Sequence, residues 1–176
     1  MAVAAFRPQI QQVLTSKIQT SLQTSLPGVT HAYRSGNVLR AAAGTFAVNT
    51  VGGAFASISL PSLIVPFSGM LITALRMTVW GLILSPTNHT LRMVLIPHSL
   101  TLLLEGQAYI LAALGSYLLG KWWLFPAKAG FPSHTRGYLA GLKANLALYV
   151  VIVPILLISA VYEASEVTFV RYLLSK

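Results

Sequence analysis

Arg76, His98 and Glu105 are ionisable side chains set inside long apolar runs, and that placement gives them their chemical interest. A charge on a hydrocarbon-facing helix costs about 2.5–3.5 kcal/mol on insertion scales, so such residues are retained for an ion pair, a substrate path or a proton relay. His98 and Glu105 stand two helical turns apart, and an unbroken helix sets both on one face. Arg76, on the neighbouring apolar run, is placed to neutralise Glu105. The set reads either as an internal ion pair that locks a bundle or as a route for substrate or protons, with contact to another subunit as a third use.

Glu163 and Glu166, three apart at the end of the last apolar run, also share a helical face. Charge is inexpensive there, so a solvated helix end is the plain reading and a functional pair the other. His31, His89, His98 and His134 stand far apart in sequence. A site built from His98, Glu105 and Glu163 is geometrically conceivable, but no metal-ligand spacing is present and no metal or other cofactor is expected. The absence of cysteine excludes disulfides, thiolate ligation and a cysteine nucleophile. There is no aspartate, no glycine-rich phosphate loop and no nucleophile elbow, so catalysis is not expected. Asn88-His89-Thr90 fits the glycosylation sequon.

The elements that must position these residues follow from the composition. Of 176 residues, 55% are hydrophobic and 9% charged, against about 25% charged in an ordinary soluble domain. The apolar residues gather into long runs separated by short polar stretches, which is the pattern of membrane spans. The chain is therefore expected to be all-α, a polytopic transmembrane bundle of about four spans with an amphipathic N-terminal helix. The spans fall near 38–60, 63–84, 91–120 and 138–162, with an amphipathic tail over 163–176. Together 38–176 make the transmembrane domain.

The first run is rich in small residues, Ala41, Ala42, Ala43, Gly44, Gly52, Gly53, Ala54 and Ala56, and should pack closely against protein. Pro61 and Pro66 bracket a tight turn before the second. The run from Leu91 to Gly120 would be about 45 Å long as one helix, so it must tilt or break, with Pro97 and Gly106 as the break points. Trp122, Trp123 and Tyr138 stand at run ends, where an aromatic belt is expected.

Residues 1–37 form a basic, acid-free segment with Phe6, Ile10, Leu14, Ile18, Leu22 and Leu26 four apart, one apolar stripe along a helix. It reads as an interfacial or partner-bound helix, or as a retained targeting sequence. Lys and Arg outnumber the acids 12 to 3, which suits the lipid bilayer and its anionic headgroups. The basic residues are scattered singly, so nucleic acid is not an expected partner. Counted at the span ends, the larger basic set, Arg7, Lys17, Arg34, Arg40, Arg92, Arg171 and Lys176, shares the side of the N-terminus, which favours a cytoplasmic N-terminus.

At Pro97-His98, followed by Glu105-Gly106-Gln107-Ala108-Tyr109-Ile110-Leu111-Ala112 and Gly115, the sequence resembles the stage II sporulation protein M family of multi-span membrane proteins. Phe46-Ala47-Val48-Asn49 in the first run and Glu163-Ala164 at the end of the last are similar to that family too, so the resemblance covers roughly 40–166. The His-to-Glu spacing of seven is longer than the family's pattern implies, although both spacings keep the pair on one helical face. The resemblance implies a membrane component that works with partners. In sporulating bacteria it anchors peptidoglycan-degrading proteins, and some relatives stand alongside transport ATPases. Two functions are thus expected: a non-catalytic membrane subunit packed against other membrane proteins, or a small transporter or permease subunit using Arg76, His98 and Glu105.

Overall fold

A computed structural model of the chain describes residues 8–87 and 89–174. Helices α1 (Pro8–Ser25) and α2 (Pro27–Arg34) arise from the N-terminal segment. Helix α3 (Val38–Ala47) continues into a π-helical stretch, Val48–Ser59, and a single turn, α4 (Leu60–Ser62). Helices α5 (Ser68–Ile83) and α6 (His89–Leu124), a 3-10 turn at Ala127–Ala129 and α7 (His134–Leu174) complete the order. No strand occurs among the described residues, and the chain is all-α.

Among the described residues three stretches are long and apolar enough to cross a membrane: Val38–Ser62, Arg92–Leu124 and His134–Tyr172. The expected second span is shorter than 63–84. Helix α5 has 16 residues, about 24 Å at 1.5 Å per residue, against a hydrocarbon core of about 30 Å. Residues 63–67 are spent on a turn instead. Val65 N–H donates to the Pro61 carbonyl at 2.8 Å, Phe67 takes a left-handed φ of 66°, and the Ser62 hydroxyl accepts from Gly69 N–H at 2.9 Å, which caps α5.

The run 91–120 does not break. Helix α6 is continuous through Pro97 and Gly106. Proline removes the backbone donor that would meet the Met93 carbonyl, and at the same level the Tyr162 hydroxyl donates to a different carbonyl, that of Pro97, at 2.9 Å. Helix α7 likewise runs through Pro154 and absorbs the expected tail as far as Leu174. The N-terminal segment is helical as its spacing predicts. Of its stripe, Phe6 and the side chains of Ile10, Ile18 and Leu22 lie outside the described set, while Leu14 and Leu26 are half-buried.

The chain packs as two compact units assembled from pieces distant in sequence. Among the described residues the first comprises 8–46, Arg76–Leu103 and 159–174; the second comprises Ala47–Leu75 and Leu104–Ile158. In the first, Ala32, Ala41, Ala42 and Ala164 form a buried cluster flanked by Tyr33 and Val38. Gln11 fastens α1 there: its amide donates to the carbonyls of Ile83 at 2.7 Å and Ser85 at 2.9 Å, and its oxygen accepts from Thr87 at 2.7 Å. Carbonyls left over at and just past the end of α5 are thereby satisfied.

In the second unit glycines set how closely the helices approach. A Cβ on Gly137 would fall 2.0 Å from the Trp122 carbonyl oxygen, and one on Gly141 2.6 Å from Leu119 Cα. Gly137-Tyr138-Leu139-Ala140-Gly141 is thus a Gly-x-x-x-Gly face laid on the end of α6. The Trp123 and Tyr138 rings meet edge-on at 5.0 Å beside it. Gly137→Ala is expected to destabilise the protein by at least about 1–3 kcal/mol, the usual range for overpacking, because the obstacle is backbone. Gly81→Ala, where a Cβ meets nothing within 4 Å, should be neutral or stabilising by up to about 1 kcal/mol. Thermal unfolding of the two variants in detergent, followed by circular dichroism, checks the contrast.

Candidate functional site

The polar residues of the first unit form a seam through four helices. His98 and Thr101, three apart on α6, share a face and meet one carboxylate on α7. His98 Nδ1 lies 3.3 Å from Glu166 Oε2, and the Thr101 hydroxyl donates to the same oxygen at 3.3 Å. The Glu166 side chain is 5% exposed and that of His98 22%, so the carboxylate depends on these two partners rather than on water. The contact is a hydrogen bond with His98 neutral and a salt bridge with it protonated.

Glu163, one turn earlier on α7, has His98 and Glu166 as its charged neighbours and hydrogen-bonds Tyr33 of α2. Tyr33 in turn shares a 2.8 Å hydroxyl contact with Thr45 of α3. Farther along α7, Arg171 Nη1 donates to the carbonyls of Tyr33 and Arg34 at 3.0 Å each, closing the C-terminus of α2. With the Tyr162 bond to Pro97, the seam ties α2, α3, α6 and α7 at successive levels.

The second unit holds its own acid. Glu105 is buried and accepts from the Asn49 amide of the π-helical stretch. Close by, Tyr109 lies over Gly53, where a Cβ would fall 2.7 Å from the phenol oxygen. The Ser59 and Tyr149 hydroxyls meet at 2.8 Å, with Phe55 edge-on to the Tyr149 ring.

Of the sequence grouping of Arg76, His98 and Glu105, two members meet partners outside it. His98 takes Glu166, Glu105 takes Asn49, and Arg76 is half-buried on α5 with contacts of its own. Spacing along one helix shows which residues share a face but not which helix supplies the partner. Glu166 is buried and bonded where a solvated helix end was expected, since α7 continues past it. Among the described residues no group of three or more His or Glu side chains stands close enough to hold a metal ion. His134 Nδ1 lies 2.6 Å from the Trp123 carbonyl at the start of α7, and His31 is exposed on α2. The sequon lies outside the described residues at Asn88. Residues that sequence reasoning passed over are Tyr33, Thr45, Thr101 and Tyr162, and Asn49 was singled out only through the family resemblance. The signal for Thr101 was its i+3 offset from His98, and for Tyr162 its place beside Glu163.

The arrangement can hold a proton between an imidazole and a carboxylate, and it fixes the registers of α2, α3 and α7 on α6. In a double-mutant cycle of His98→Ala and Glu166→Ala, unfolding in detergent should give a coupling of about 0.6 kcal/mol, with about 1.7 as a ceiling, the range measured for buried interhelical polar pairs. Additive losses would mean the pair contributes nothing. No protein-family model, curated protein or solved structure matches the chain.

Proposed function

We propose that this chain is a non-catalytic, multi-pass integral membrane subunit of a larger membrane protein complex. The observation that carries the reading is the outward face of the first span. Ala47, Val51, Gly52, Phe55, Ala56 and Leu60 are all exposed, at spacings of four and five that keep them together in a helix bonded i to i+5. Lipid-facing helices have no need of small residues, whereas a second helix approaching closely does. Between 28% and 39% of each candidate span is buried within the chain, so most of each apolar surface needs lipid or protein to cover it.

The resemblance to the stage II sporulation protein M family supports the same reading. Its residues Asn49 and Glu105 bond one another, Ala164 is fully buried, and Glu163 neighbours His98, which are packing roles rather than those of an open catalytic centre. The basic count at the span ends favours a cytoplasmic N-terminus.

Gly52 supplies the test, because a side chain there meets nothing of the chain itself within 4 Å. Gly52→Leu should leave unfolding in detergent unchanged and should lose the co-purifying partners seen by native mass determination of the wild type. A wild type that extracts as a bare monomer, or a variant that keeps its assembly, would overturn the proposal.

A second reading, a small transporter subunit, is favoured by one observation: Glu163, Glu166 and His98 are neighbouring titratable groups. Glu166→Gln abolishes proton-coupled uptake in proteoliposomes if the seam is a relay, and affects only stability if it is a lock.

A further inference from the structure

In the first unit α6 and α7 border an open cleft of about 260 Å³, lined by Val94, Glu166, Val167, Val170 and Arg171. Its walls are apolar. Glu166 Oε2 is held by His98 and Thr101, and Arg171, exposed, is the cation among the lining residues. The guanidinium carries five N–H donors, and its two bonds to the Tyr33 and Arg34 carbonyls use Nη1 alone. Arg34, whose own carbonyl takes one of those bonds, is exposed like Arg171. The nearest acids, Glu163 and Glu166, are engaged within the seam.

An apolar slot bordered by an exposed arginine whose guanidinium is held against backbone is complementary to one kind of molecule: an amphiphile with a hydrocarbon chain and an anionic head. We propose that this cleft binds an anionic phospholipid, one acyl chain lying against Val94, Val167 and Val170 and the phosphate paired with Arg171. The inference rests on the membrane reading above and gives it a specific lipid. Position supports it. Arg171 is next to the end of the candidate span His134–Tyr172, which at 1.5 Å per residue is about 58 Å long and overshoots a core of about 30 Å, so its last turn belongs at headgroup level. Arginine there engages phosphate in a bidentate fork. The whole chain, at +9, is drawn to the same surface without selectivity.

The specific site and the general attraction separate by charge-matched variants. Arg92 is exposed, like Arg171, but is not among the residues lining the cleft. Purified protein is titrated with phosphatidylglycerol and, separately, with phosphatidylcholine of the same acyl chains, and bound lipid is counted by native mass spectrometry. The wild type should retain phosphatidylglycerol preferentially. Arg171→Gln should weaken that retention about fivefold, the equivalent of about 1 kcal/mol for one arginine at an anionic surface, and Arg92→Gln should leave it unchanged. Val170→Trp, which fills the slot without altering charge, should remove the bound lipid. If Val170→Trp does not fold, the arginine pair still decides. Equal retention of the two lipids, equal losses from both arginine variants, or a cleft occupied by a co-purifying protein helix would overturn the proposal. A chain that leaves the membrane fraction without detergent would instead overturn the membrane reading beneath it.

Discussion

A polar side chain on an apolar helix has no water to fall back on, and the rest of the structure is arranged around that constraint. The chain has only three acids, and each is met by side chains of other helices: Glu105 by Asn49, Glu163 by Tyr33, and Glu166 by His98 and Thr101. These contacts contribute little net stability, about 0.6 kcal/mol each by analogy with buried interhelical pairs. Their weight lies in the alternative. A register slip of one residue between α6 and α7 would leave a carboxylate unpaired at a cost of several kcal/mol. The polar pairs thus choose among packings that dispersion alone would leave nearly equal.

Dispersion sets how closely those packings are made. Gly137 and Gly141 bring α7 onto the end of α6, Gly115 admits the Asn145 side chain, and Gly69 lies where a Cβ would be 2.6 Å from the Ile58 carbonyl oxygen. Backbone atoms stand at most of these contacts, so no side-chain adjustment can relieve an added methyl. Close approach of this kind also brings short side chains such as Thr101 within reach of a neighbouring helix. The glycine contacts of the second unit and the polar seam of the first both draw on the two long helices α6 and α7.

The extent of the helices was legible in the sequence because it is a property of local composition. The apolar run beginning at Val38 and the run over 138–162 lie within helices of the expected kind, and the N-terminal spacing gave a helix. The shortening of α5 was half-legible: Pro61 and Pro66 announced a turn, but not that Ser62 would cap the next helix and delay its start to Ser68. The partners of the ionisable residues were not legible. Seven-residue spacing placed His98 and Glu105 on one face, yet each is satisfied by a different element, because the choice depends on heights set by glycine contacts and turns elsewhere. The Gly137–Gly141 contact face went unread, because its partner, the carbonyl of Trp122, lies on another helix.

The π-helical stretch follows from the same constraint. Glu105 is the acid set farthest inside an apolar run, where an unpartnered carboxylate is dearest. Its partner Asn49 must face α6 together with Gly53, which admits Tyr109, and the buried Ile58. Nine residues separate Asn49 from Ile58, about two and a half turns of an α-helix, which would put them on opposite faces. Bonding from i to i+5 widens each turn and brings all three into one line. The unusual winding of Val48–Ser59 is therefore what allows a single helix both to satisfy the deepest acid and to keep Gly52 and Ala56 turned outward.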